Sequence, residues 1–231
     1  MVATYVGVNT DAVISFPTTS TTISSFPAGH AAGNLMMLHL RAQRTDKSTP
    51  TFTVDQGFTQ AARITATGNS DAVVNEIWFK TAEGTSGTEP QPTVTISSIV
   101  SGAAFGVSLY EFGDTEATYL AGPTGKASPT GTGTGIFTPD SATIAKDGLA
   151  FVAFVNGSTP GTPSITTTQG FTSIRTYTAT IRGQTAYKAV STGTVTYPSY
   201  TRGSTVDSTC AITLVFGVVG GAGWSVGQIK Y

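Results

Sequence analysis

Two stretches of this chain carry the same four residues, Gln56-Gly57-Phe58-Thr59 and Gln169-Gly170-Phe171-Thr172. Their surroundings repeat as well. A small-residue turn runs into an apolar segment upstream of each, Gly33-Asn34-Leu35-Met36-Met37-Leu38 and Asp147-Gly148-Leu149-Ala150-Phe151-Val152. An aromatic-lysine step follows each, Phe79-Lys80 and Tyr187-Lys188, and both halves close on Phe-Gly, at Phe112-Gly113 and Phe216-Gly217. The spacing between matched points falls from 114 residues at Leu35 and Leu149 to 104 at Phe112 and Phe216. Two copies of one unit with different loop lengths would drift in this way.

The unit is rich in strands. Val73–Thr81 alternates Val73, Asn75, Ile77 and Phe79 with Val74, Glu76, Trp78 and Lys80, the period of a strand. Leu35–Ala42, Phe58–Thr65, Val94–Ile96 and Phe105–Phe112 complete the first unit; Leu149–Val155, Phe171–Thr178, Thr185–Val190 and Cys210–Phe216 form the second. No segment of helical length carries a helical apolar period. Charged residues are only 11% of the chain, against roughly 25% in an average domain. The 39% of hydrophobic residues gathers into strand-sized runs, so the chain folds despite its low charge. The expected fold class is all-β, an antiparallel β-sandwich built from two halves.

The expected organisation is an N-terminal pair or trio of strands, or an arm, over 1–27, and a first repeat over 28–121. A Gly/Thr/Pro linker or crossover loop follows over 122–135, then a second repeat over 136–216 and a Gly-rich C-terminal arm over 217–231. The linker, GPTGKASPTGTGTG, is low in complexity. The tail, GVVGGAGWSVGQIKY, carries Trp224 and Tyr231, which are candidate subunit contacts; a final edge strand is the alternative.

Composition excludes several function classes. A net charge of −1 with scattered Lys and Arg gives no basic face for nucleic acid. One cysteine, Cys210, permits no intrachain disulfide and reads as a buried thiol. No stretch approaches the roughly 20 apolar residues of a membrane helix. No export leader is read at Met1–Tyr5, so synthesis is expected in a cytoplasm.

Candidate chemistry is sparse. Gly223-Trp224-Ser225-Val226-Gly227 matches the nucleophile-elbow pattern, but that motif needs an acid and a histidine after the serine, and His30 and His39 both precede it. The two histidines lack carboxylate or cysteine neighbours at ligand spacing, so no metal site is expected. Asp114 and Glu116, at i and i+2, share a face on a strand, yet a solvated strand end accounts for them better than a calcium site or a glycosidase pair. No catalytic residue and no cofactor are expected.

The turn with Gly and Asn at Gly33-Asn34-Leu35-Met36, the Gln56-Gly57-Phe58-Thr59 step and Trp78-Phe79-Lys80-Thr81-Ala82 resemble a jelly-roll-type β-sandwich module common in bacteriophage virion proteins. The second copy is looser, with Asp147 and Gly148 in reversed order and Tyr187-Lys188-Ala189. Neither Gly-Phe-Thr is directly preceded by the proline usual in that group. The resemblance implies a non-enzymatic structural protein of a phage or phage-like particle: a capsid decoration, head fibre or spike, or tail-fibre component. It further implies assembly within the host, other virion proteins as partners, and a homo-oligomer. The alternative is a carbohydrate- or receptor-binding module, with Tyr177, Tyr197 and Tyr200, and also Trp78, as aromatic platforms for a host-surface glycan.

Overall fold

The computed structural model describes residues 3–9, 12–15, 18–68, 71–97, 103–128, 136–157, 164–178, 181–201 and 208–219. Strands β1 (Thr4–Val8), β2 (Ala12–Ser15), β3 (Ser20–Thr22), β4 (Leu35–Arg44), β5 (Phe52–Val54), β6 (Thr59–Thr67), β7 (Ala72–Thr81), β8 (Thr93–Ile96) and β9 (Ala104–Gly113) come first. They are followed by β10 (Thr115–Ser128), β11 (Ile136–Phe137), β12 (Ala142–Ile144), β13 (Gly148–Asn156) and β14 (Ser164–Thr167). The last are β15 (Thr172–Tyr177), β16 (Arg182–Val190), β17 (Gly193–Val195), β18 (Ser199–Thr201) and β19 (Thr209–Val218). No helix occurs among the described residues, and the fold is an all-β, antiparallel sandwich arrangement.

Two large sheets organise it. The first runs β1-β9-β4-β7-β6, with β2 also on β9; the second runs β10-β19-β13-β16-β15. These orders correspond position for position. The small sheets correspond too, β3-β8-β5 beside the first and β11-β18-β14 beside the second, with β12-β17 as an added pair.

Three apolar layers separate four layers of sheet. Met36, Leu38, Leu40, Phe105, Val107 and Leu109 face the small β3-β8-β5 sheet across a core closed by Phe52, Phe58 and Val94. The opposite face of the same strands, Leu35, Met37, Tyr110 and Phe112, packs on Leu149, Phe151, Leu214 and Phe216 of the second large sheet. The other side of that sheet, with Val152 and Phe154, meets Phe137, Phe171, Tyr197 and Tyr200. Both large sheets are therefore covered on both faces. This is why β4, β9, β13 and β19 are buried at every position and read as near-continuous apolar runs.

The linker is placed differently from the sequence expectation. The chain leaves the first large sheet at Gly113 and enters the second at Thr115, turning on Asp114 alone at φ 55°. Residues 115–121, expected in the first repeat, and 122–128, expected as linker, form β10, which pairs along β19 from Val218 to Thr209. An edge strand takes its hydrogen bonds from its neighbour, so Gly, Thr and Pro suffice there, with the register shifting around Gly122-Pro123. Residues 129–135 and 220–231 lie outside the described residues.

The N-terminal strands also have a counterpart. Tyr5 of β1 pairs with Phe112, as Tyr119 of β10 pairs with Phe216. A sequence signal marks this equivalence: Ala3-Thr4-Tyr5 recurs as Ala117-Thr118-Tyr119, at the same spacing as Leu35 and Leu149.

Candidate functional site

The repeated Gln-Gly step is a corner that carries the chain from a small sheet into a large one. Gln56 and Gly57 hold φ of 57° and 75°, and Gln169 and Gly170 hold 50° and 77°. Two successive left-handed residues make a tight reversal, and glycine takes the second without a Cβ penalty. Phe171 N–H donates to the Thr168 carbonyl at 2.8 Å and closes the second corner. Phe58 and Phe171 then enter the cores of their units.

The aromatic-lysine step braces the same corner. Lys80 Nζ donates to the Gln56 carbonyl at 3.2 Å, and Lys188 Nζ to the Gln169 carbonyl at 2.8 Å. Alternation sends the preceding aromatic the other way. Phe79 packs against Tyr119 and Phe216 at 5.2 and 5.3 Å, and Tyr187 against Tyr5 and Phe112 at 5.3 and 5.6 Å. One dipeptide thus fixes the corner and the contact between the large sheets.

The two lysines differ in what surrounds them. Lys80 is buried, and Glu89 Oε1 lies 2.9 Å from its Nζ. Glu89 Oε2 accepts from the backbone N–H of Glu83 and Gly84 at 2.8 and 2.7 Å. Burial raises the Glu89 pKa, but Lys80 and these two amides outweigh it and the net shift is downward. Beside this pair His30 Nδ1 meets Glu111 Oε2 at 2.8 Å, and Asn34 Nδ2 donates to Glu111 Oε1 at 2.6 Å. Phe26 stacks on the His30 ring at 4.5 Å. Lys188, by contrast, is half-exposed and pairs with no carboxylate among the described residues. It opens on a groove of about 390 Å³ lined by Gln169, Ser191, Thr194, Val195 and Thr196.

A second polar cluster lies between the large sheets. His39 Nε2 meets Asn75 Oδ1 at 3.0 Å, and Asn75 Nδ2 donates to the Ala153 carbonyl at 2.9 Å. The Asn75 oxygen therefore accepts, which places the imidazole proton on Nε2 and leaves Nδ1 to accept from Tyr177 Oη at 3.1 Å. Tyr177 in turn accepts from Tyr110, which accepts from Thr185 Oγ1 at 2.8 Å. The chain of donors runs from Thr185 in the second large sheet to His39 in the first and back to Ala153. The Arg41 guanidinium lies over the Tyr177 ring at 3.6 Å and donates to Ser108 at 3.2 Å. Gly106 makes room for it, since a Cβ there would stand 2.5 Å from Arg41 Cζ. Burial first, and Arg41 second, hold the His39 pKa well below its ordinary value, against the Asn75 hydrogen bond.

The tyrosine platforms expected for a glycan are not available to one. Tyr177, Tyr197 and Tyr200 are 3%, 2% and 0% exposed. Arg41 covers the Tyr177 face, and Tyr200 is stacked on Phe154 at 4.4 Å within the second core. Burial pushes the Tyr197 hydroxyl up to about 12. Trp78 packs against the first core and donates from Nε1 to Glu76 at 2.8 Å. In each case a tyrosine that reads as a surface residue of a Thr-rich segment lies under a second layer of sheet.

Asp114 occupies the single-residue turn between the large sheets, where its backbone carbonyl accepts from Val219 N–H, while Glu116 pairs with Lys146 at 3.1 Å. The Asp114 carboxylate accepts from Thr4 Oγ1 at 3.5 Å, so the two carboxylates have separate partners. Cys210 is buried, and burial raises its thiol pKa. Among the described residues no three His, Cys, Asp or Glu side chains gather as a metal site. Trp224, Ser225 and Tyr231 lie outside the described residues. Sequence reading missed the His30–Glu111–Glu89–Lys80 cluster because His30 and Glu111 are 81 residues apart. Its available signal was Glu111 itself, a carboxylate inside an apolar strand. Compared with known proteins, the chain matches no family model, no curated protein and no solved structure.

Proposed function

We propose that this protein is a non-enzymatic structural component of the surface of a phage or phage-like particle, acting as a homo-oligomer that decorates or cements the head or forms part of a fibre, spike or tail. The observation that carries this reading is the joint between the two large sheets. They are connected through Asp114 alone and packed through a shared apolar layer, with the His39–Tyr177 hydrogen-bond chain crossing it. Such a block has no interdomain linker to cut or bend, and rigidity with protease resistance is what an outer shell requires. Assembly in the host cytoplasm, with other virion proteins as partners, belongs to the same reading.

The same reading assigns Trp224 and Tyr231, large aromatics of the Gly-rich tail, as contacts with another subunit, since apolar side chains of this size mark interaction surfaces. The test is a binding assay with particles that lack the protein. Retention of the full chain, lost on truncation after Val219, supports the proposal; a monomer that binds no particle refutes it.

A further inference from the structure

The two braced corners supply an internal comparison that no sequence motif gives. After β7 the chain runs through residues 82–92 before β8, and this connection turns Glu89 back onto Lys80. After β16 only residues 191 and 192 precede β17, and no carboxylate returns to Lys188 among the described residues. The lysines hold the same carbonyl in the same corner, so Glu89 shows what a carboxylate does when presented to this arrangement. It takes the ammonium on one oxygen and backbone amides on the other. In the second unit that place is an open groove. The Asp147 carboxylate accepts from Thr192 N–H at 3.2 Å and lines the adjoining hollow with Ala3 and Val218 instead.

We infer that the Lys188 groove binds a carboxylate-bearing saccharide, whose carboxylate takes the position on the lysine that Glu89 fills in the first unit. A groove of about 390 Å³ falls within the range of small-ligand sites and suits one sugar ring. Its polar wall consists of the Gln169 amide and the hydroxyls of Ser191, Thr194 and Thr196, donors and acceptors matched to sugar hydroxyls. The charge-assisted bond to Lys188 selects an acidic sugar over a neutral one. This site goes beyond the particle role, and its test uses the isolated full chain, so either reading can fail alone.

Sodium glucuronate and N-acetylneuraminate are the probes, titrated into isotope-labelled protein while the amides of Ser191 and Thr194 are followed by NMR. At least one is expected to shift these amides saturably, with glucose and acetate at equal concentration failing to do so. Lys188→Met is expected to weaken binding about tenfold, the loss of one charge-assisted hydrogen bond. Thr194→Glu, which supplies a carboxylate from within, is expected to abolish binding while the melting transition stays cooperative. The proposal is overturned if neither acid binds, if glucose or acetate binds as tightly, or if both variants bind as the parent does.

Discussion

Acid should loosen the joint between the large sheets, and His39 sets the pH at which this begins. In the folded protein its Nδ1 accepts from Tyr177, and that hydroxyl already accepts from Tyr110. A proton on Nδ1 would have no acceptor unless the whole chain of hydroxyls reversed, and the new charge would lie beside Arg41. The folded pKa is accordingly depressed, with burial the first cause. A depressed histidine contributes stability that is fully present above the unfolded pKa of about 6.5 and is lost as pH falls below it, down to the folded pKa. While the folded imidazole stays neutral, the loss approaches about 1.4 kcal/mol per pH unit, or about 2 kcal/mol between pH 8 and pH 5.

The measurement is urea unfolding of the parent and of His39→Gln at intervals from pH 8 to pH 5. All other titrating groups are common to both proteins, so the difference between their stability curves isolates His39. The parent should lose about 2 kcal/mol more than the variant over this range. Parallel curves, or a parent that gains relative stability in acid, would refute the assigned proton and the neutral imidazole.

Three further outcomes follow from the same geometry. Phe58→Ala and Phe171→Ala should each cost roughly 3–5 kcal/mol in chemical denaturation, as core aromatics do; losses below about 1 kcal/mol at both would place the corner motif on the surface. Lys80→Met strands the buried Glu89 carboxylate and should cost about 3–5 kcal/mol, whereas Lys188→Met removes one partly exposed hydrogen bond and should cost about 1 kcal/mol; equal losses would contradict the contrast between the two corners. Cys210 should react with a thiol reagent only at the rate of global unfolding, because burial both hides the thiol and disfavours the thiolate; fast labelling under native conditions would show that the interior opens locally.

Strand period and the repeated corner were legible in the sequence because both are local. Alternation in Val73–Thr81 assigned the right residues to each face, and Phe58 and Phe171 lie in the cores to which the motif assigns them. Partnering was not legible. Residues 122–128 have turn composition and are a strand only because β19 offers them a hydrogen-bonding edge. Polar positions carried the deeper ambiguity. On β4, Leu35, Met37, His39, Arg41 and Gln43 share one face, and such a face ordinarily meets solvent at its polar end. Here a second sheet covers it, and the covering strands bring Tyr177, Thr185 and the Ala153 carbonyl to meet those polar groups. A buried arginine and histidine in an apolar strand would be costly as isolated groups. Their burial in β4 is sustained by partners from another layer, which the sequence of β4 alone does not show. It is the same argument that separates the two lysines: one unit carries its carboxylate within the chain, and the other leaves the place open for a carboxylate from outside.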